Sequence, residues 1–135
     1  MATLRLEIVT PEATTYSEEV EMVVLPGSEG EFGVYPNHVP LLTTLKPGEL
    51  RVIKDGRALS LAIGEGFVEI TGKSVSVLTD MALESEKIDE AAAEAAVARA
   101  QAAMKEDHGA EEVAAIQASM QKALAQLHVK RRRRG

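Results

Sequence analysis

The 135-residue sequence predicts an α+β protein in two parts: an N-terminal flattened β-sandwich or barrel of short strands, then a C-terminal antiparallel two-helix hairpin. Three observations carry this reading. All five prolines lie at or before Pro47, and all four aromatic residues lie at or before Phe67. After Gly72 the only glycines are Gly109 and Gly135. Nine of the thirteen residues from Ala91 to Ala103 are alanine. The chain thus changes from strand-and-turn chemistry to helix chemistry near residue 84. The sandwich is expected over 1–84, the hairpin over 85–130 and a basic tail over 131–135.

The elements follow in order. Leu4, Leu6 and Ile8 alternate with Arg5 and Glu7, the two-residue period of a half-buried strand. Met22 to Leu25 is a short buried strand that Pro26-Gly27 is expected to stop. Next comes GEFGVYPNHVPLLTTLKPG, Gly30 to Gly48, with three glycines and three prolines around Phe32, Val34, Tyr35, Val39, Leu41, Leu42 and Leu45. Apolar side chains on proline-set backbone predict a shaped surface rather than a loose loop. The alternative is that Phe32, Tyr35 and Leu41 close one end of the sandwich and His38 caps a turn. Asp55-Gly56 between LRVIK and RALSLAI is a two-residue hairpin signal, because a type I′ turn needs positive φ at both positions. Thr71-Gly72-Lys73 joins FVEI to SVSVL in the same way, with Gly72 expected to supply positive φ.

The first helix is expected to start near Asp89 and to carry Ala93, Val97, Ala100 and Met104 on one side. Asp107-His108-Gly109 breaks it, with Gly109 suited to the left-handed residue after a helix end. The second helix carries Val113, Ile116, Met120, Ala123 and Leu127 as one seam. A connection this short makes the two antiparallel. Alanine favours helix but buries little area, at ~0.8 kcal/mol per methylene. The hairpin should therefore be well formed internally and weakly held elsewhere, a build that suits a part that detaches.

Composition excludes several classes. There is no cysteine, hence no disulfide, thiolate nucleophile or thiolate metal site. No apolar run approaches the ~20 residues of a membrane-spanning helix. The opening MATLRLEIVTPE alternates charged and apolar residues, unlike a signal peptide, and is too acidic for a transit peptide. Lys130, Arg131, Arg132, Arg133 and Arg134 put five positive charges near the end of a chain whose net charge is −6, leaving the remainder at −11. An acidic body disfavours nucleic acid, and no aromatic residue is interleaved with the basic ones, so a solvated end or a contact with an acidic partner is expected.

No catalytic constellation stands out. Gly72-Lys73-Ser74 resembles the end of a phosphate-binding loop, but Gly66 to Gly72 encloses five residues instead of four, and a strand follows. His38, His108 and His128 are too scattered for a zinc site. His108 reads as turn chemistry, and His128 as a residue favoured by a helix C-terminus. The nucleophile motif G-x-S-x-G is absent.

The stretch GSEGEFGVYPNHVPLLTTLKPGELRV, Gly27 to Val52, is similar to the signature of the bacterial-type epsilon subunit of F-type ATP synthase. IGEGFVEITGKSVSVLTDMA, the opening Ile88-Asp89-Glu90-Ala91 and HGAEEVAAIQASMQKALAQLHV continue the resemblance along essentially the whole chain. The resemblance implies a sandwich of about ten strands, docked on the gamma subunit and the membrane rotor ring. It implies a hairpin that either folds onto the sandwich or extends along gamma into the catalytic alpha/beta head, where it inhibits ATP hydrolysis. Such a chain is a non-catalytic part of the proton-translocating complex, on the cytoplasmic face of a bacterial inner membrane or the stromal face of a thylakoid. By the same resemblance Glu31, His38 and Thr43 are candidates for contacts with ring and gamma, and Lys130 to Arg134 form an inhibitory basic tail.

Some members of that family bind ATP on the folded hairpin through a motif like I-D-x-x-R-A plus further arginines. Ile88, Asp89 and Ala93 match, but Ala92 stands at the arginine position. Arg99 is available on the first helix, while Lys122 and Gln126 stand on the second where arginines would be expected. Guanidinium forks are not replaced by shorter or neutral groups. Asp89 is therefore expected to act as a helix cap, with Asp89, Arg99 and Lys122 a weak ATP site at most and no cofactor required. An unrelated hydrolase is the remaining alternative, and no nucleophile and base pair supports it.

Overall fold

A computed structural model describes the backbone of residues 2–134 and the side chains of residues 2–132. Ten strands come first: β1 (Leu4–Val9), β2 (Thr14–Val20), β3 (Met22–Gly27), β4 (Gly30–Val34), β5 (Leu41–Leu45), β6 (Gly48–Lys54), β7 (Arg57–Ile63), β8 (Gly66–Ile70), β9 (Ser74–Thr79) and β10 (Ala82–Glu84). A 3₁₀ turn (Ser85–Lys87) leads to α1 (Glu90–Ala103) and α2 (Ala110–Arg134). The strands form one sheet in the order β10-β7-β6-β3-β5-β8-β9-β1-β2, with β4 paired to β3. Every pairing is antiparallel except β1 with β9. The sheet curls on itself around one apolar core that draws on most of its strands, including Leu4, Leu6, Ile8, Leu25, Leu50, Leu61, Ile63 and Val77.

The turns show how local chemistry sets the register. Asp55 and Gly56 both have positive φ, 53° and 73°, as a type I′ hairpin requires. Three expectations are corrected. Pro26-Gly27 does not end β3, which pairs through Gly27, and the turn falls at Ser28-Glu29. The Pro26 carbonyl accepts from Lys46 N at 3.0 Å, and its nitrogen faces the same side, where pairing with β6 has already ended at Val24. No ladder bond is lost there by the missing donor. Gly72 is not in the left-handed region. Thr71 holds that turn instead, its Oγ1 accepting from Lys73 N at 3.2 Å and Ser74 N at 3.0 Å. Gly109 does not follow α1 in the left-handed region either. It precedes α2, and its carbonyl accepts from Val113 N at 3.0 Å as the first bond of that helix.

The helices form the expected antiparallel pair, and α2 lies across β6 and β7. The seam of α2 is buried at Ala123 and Leu127, while Ala125 and Val129 are buried as well. Residues 131–134 are not a separate tail, because α2 continues to Arg134.

Candidate functional site

The outward face of β5, β8 and β9 exposes large apolar groups beside Thr44, Glu69 and Ser76. Cross-strand register aligns Thr44 with Phe67 and Phe67 with Leu78, with Leu42 two residues along the same face. Leu42 is 70% exposed, Phe67 51% and Leu78 45%. Tyr35 and Val39, from the proline-set segment, are exposed beside β5 in sequence. Exposed large apolar groups close together make this face a candidate docking surface. Phe32 alone of the predicted closing residues packs on the core; Tyr35 and Leu41 do not.

The predicted contact residues are distributed around this segment. Glu31 on β4 is exposed and accepts from Arg51 Nη2 at 3.0 Å. His38 Nδ1 donates to the Val39 carbonyl at 2.6 Å, and the His38 amide donates to Tyr35 O at 3.3 Å. His38 thus does cap a turn. Asn37, with φ of 69°, donates to Gly72 O at 2.8 Å and ties that turn to the β8–β9 connection. Thr43 is half-buried in register with Val68 and Val77 on the core side. The two-residue period leaves Leu42 and Thr44, not Thr43, on the outward face.

The second site is where the hairpin meets the sandwich. Glu49 pairs with Ala62, and Ala62 with Leu83, in one row across β6, β7 and β10. These side chains face away from the main core, yet Ala62 is fully buried because α2 covers it. Ala62 is small enough to admit the helix, and it forms a second apolar cluster with Ile88, Val129, Met81 and Leu83. Polar contacts surround that cluster. Lys130 Nζ donates to Ser85 O at 3.0 Å. Arg131 reaches Glu90 at 3.1 Å and Glu94 at 3.2 Å, joining the C-terminal end of α2 to the start of α1. Glu90 and then Glu94 hold its guanidinium above the usual arginine range.

Arg132 Nη1 donates to Glu49 Oε1 at 2.5 Å, and His128 Nε2 lies 3.8 Å from the same oxygen. The Glu49 side chain is only 4% exposed, and its Oε2 has no partner among the described residues. A buried carboxylate is costly unless paired, so Glu49 makes the docked position of Arg132 specific. Glu49 was missed in the sequence because it sits beside Leu50 in an exposed register; only the covering helix buries it. Arg133 and Arg134 lie in the last turn of α2, with side chains outside the described residues.

The ATP candidates are engaged separately. Asp89 Oδ1 accepts from Ala92 N at 3.0 Å and caps α1, as expected. Lys122 pairs with Asp80 of the β9–β10 turn at 3.4 Å. Arg99 is exposed and has no ion pair among the described residues. No group of three or more metal-ligating side chains occurs among the described residues, and no described helix is long and apolar enough to cross a membrane.

Fold and surfaces together define a two-part protein, a sandwich with exposed apolar groups on one face and a helical hairpin packed on it through α2. Sequence comparison places that class. Residues 3–85 match the family described as ATP synthase, Delta/Epsilon chain, beta-sandwich domain, and residues 86–131 match its long alpha-helix domain. The chain is 43% identical over 129 residues to an ATP synthase epsilon chain of Laribacter hongkongensis, covering 94% of this chain and 92% of that one. It is 41% identical over 131 residues to the epsilon chain of Herpetosiphon aurantiacus, covering 97% and 96%. Among solved structures, a chain of the Euglena gracilis mitochondrial ATP synthase OSCP/F1/c-ring assembly superposes with a TM-score of 0.78 at 22% identity, covering 100% of this chain and 83% of that one. A chain of the Tetrahymena thermophila mitochondrial ATP synthase central stalk/c-ring has a TM-score of 0.53 at 12% identity, covering 63% and 69%. The chain belongs to the epsilon-chain family of ATP synthase. It is a non-catalytic accessory subunit of that complex.

Proposed function

We propose that this chain is a rotor subunit that links gamma to the membrane rotor ring, with a hairpin that leaves the sandwich to inhibit ATP hydrolysis in the alpha/beta head. The observation that carries the reading is the mismatch between the two contacts. The sandwich has its own closed core, whereas the hairpin is held to it by Ala62, Ile88 and Val129 and by the ion pairs of Lys122 with Asp80 and Arg132 with Glu49. A contact rimmed by ion pairs that water can replace is more readily reversed than the closed core of the sandwich.

In this reading the face of Leu42, Phe67 and Leu78 docks on gamma, and Glu31, His38 and Thr43 lie at or near contacts with gamma and the ring. The chain then works peripherally, on the cytoplasmic face of a bacterial membrane. Lys130, Arg131 and Arg132 hold the folded hairpin, and Lys130 to Arg134 together draw the extended one toward an acidic surface in the head. The test adds the full chain, a chain ending at Val129 and a chain ending at Glu84 to a catalytic complex lacking this subunit. Hydrolysis should be lowest with the full chain and highest with the chain ending at Glu84. Equal rates with all three would overturn the inhibitory role.

ATP sensing is the weaker alternative. Asp89 spends a carboxylate oxygen on a cap, and Lys122 is engaged by Asp80. Calorimetric titration of the chain with ATP should show weak or no binding, and Ala92→Arg should strengthen whatever is seen. Micromolar affinity in the unaltered chain would reverse this order of preference.

A further inference from the structure

We infer that His108 is a proton-held clasp that keeps α1 and α2 side by side. The ring sits in the connection between the helices and is largely covered, with 14% of the side chain exposed. Its two nitrogens reach different helices. Nε2 lies 2.6 Å from the carbonyl oxygen of Ala103, the last residue of α1. Nδ1 lies 2.7 Å from Glu112 Oε2 in the first turn of α2.

The carbonyl can only accept a hydrogen bond, and so can an ionised carboxylate. Both ring nitrogens must then carry hydrogen, and the geometry describes an imidazolium. A neutral ring keeps one bond and turns a lone pair toward the other acceptor. If Nε2 keeps the proton, the lone pair faces the Glu112 carboxylate. If Nδ1 keeps it, the lone pair faces the Ala103 carbonyl. Either tautomer gives up one of the two bonds by which this ring ties the helices together.

The surroundings agree. The charged groups that face the ring are Glu112 on α2 and Glu106 in the connection, the latter 3.8 Å from Nε2; α1 contributes only the Ala103 carbonyl. The Glu112 hydrogen bond, then the Ala103 carbonyl, push the His108 pKa above its ordinary 6.5 against the opposing effect of burial. A cation at the C-terminal end of α1 and a carboxylate at the N-terminal end of α2 also suit both helix dipoles. Because the closed hairpin raises this pKa, the clasp is fully made below about 6.5, the ordinary value, and is lost as pH rises through the raised one. If the hairpin is inhibitory, as proposed above, a rising pH loosens it for extension; that consequence alone rests on the functional reading.

The clasp can be tested on the isolated full chain, without the synthase. NMR titration of the histidine ring signals should show both His108 nitrogens protonated at pH 6.5 and a midpoint above it, which falls in Glu112→Gln. The chain has no cysteine, so spin labels can be placed at Ala98→Cys and Gln117→Cys on exposed positions of α1 and α2. The interhelical distance distribution should broaden as pH passes the His108 midpoint and should lose that pH response in His108→Gln. A His108 midpoint at or below 6.5 overturns the clasp. So does a pH response of the distance that persists unchanged in His108→Gln. Neither readout depends on hydrolysis, so failure of the clasp and failure of the inhibitory role are separate results.

Discussion

The sandwich and the hairpin are stabilised in opposite ways. Leucine, isoleucine and valine from nearly every strand meet in one core, where each fully buried large side chain is worth ~1.5–3 kcal/mol. The hairpin buries mostly alanine, at Ala93, Ala100, Ala123 and Ala125, and touches the sandwich through a few apolar groups and several charges. Apolar burial is non-directional and is not weakened by ionic screening, whereas exposed ion pairs are weak, screened and easily exchanged for another partner. One chain thus holds a permanent part and a part suited to moving.

The largest expected effect tests the permanent side. Leu61→Ala should destabilise the sandwich by ~2–5 kcal/mol in denaturant unfolding, as a buried leucine leaves a cavity. Val129→Ala should cost only ~1–2 kcal/mol and loosen the hairpin while the sandwich transition stays in place. Similar losses from both substitutions would break the contrast.

Removal of the hairpin is the next test. A chain ending at Glu84 keeps β10 whole and should melt cooperatively, with a dispersed amide spectrum. It should also expose Ala62, Met81 and Leu83 and aggregate more readily than the full chain. A broad, non-cooperative melt would show that the sandwich leans on α2.

A smaller effect is expected at the clip itself. Glu49→Gln removes the charge that Arg132 meets while leaving the basic residues in place. Arg132 is half-exposed, so solvent already weakens the pair, and the folded hairpin should lose only several-fold in population. Protease cleavage within α2 should rise, and inhibition of hydrolysis should strengthen. Unchanged cleavage would assign the docking to the apolar cluster alone.

The effect that is smallest at neutral pH, and grows only in alkali, is a titration on the sandwich. Burial, then the neighbouring Glu18, pushes the Tyr16 hydroxyl up to about 12, while Lys54 holds the Glu18 carboxyl below its ordinary range. A raised pKa means the folded state keeps the proton. The contribution is therefore complete below pH 10 and lost as pH climbs toward about 12. Tyr16→Phe should remove that high-pH component from the unfolding curve. A phenolate absorbance midpoint for Tyr16 near 10 would contradict it.

Strands with clean alternation, such as β1, or with a strong turn beside them, such as β6 and β7, were legible along the chain. β2, β4, β5 and β10 were not placed one by one. β2 carries charges at an edge, β4 is interrupted by glycines, β5 follows two prolines, and β10 has three residues. The helices were legible from alanine content and from Asp89, whose capping role needs only its own backbone. Gly72 and Gly109 misled because glycine permits positive φ without requiring it, and Thr71 and the start of α2 set those turns instead.

The sequence by itself determined the two-part division, the antiparallel hairpin and the family, because periodicity, turn residues and long motifs are written in neighbouring positions. Only the tertiary structure decided which charges matter. Arg131 and Arg132 meet Glu90, Glu94 and Glu49, the last of them 83 residues away. Glu49 is buried by a helix that it does not adjoin in sequence. Thr43 turns inward because β8 sets the register of β5. Burial and pairing belong to surfaces brought together by folding, and no local pattern states which surfaces those are.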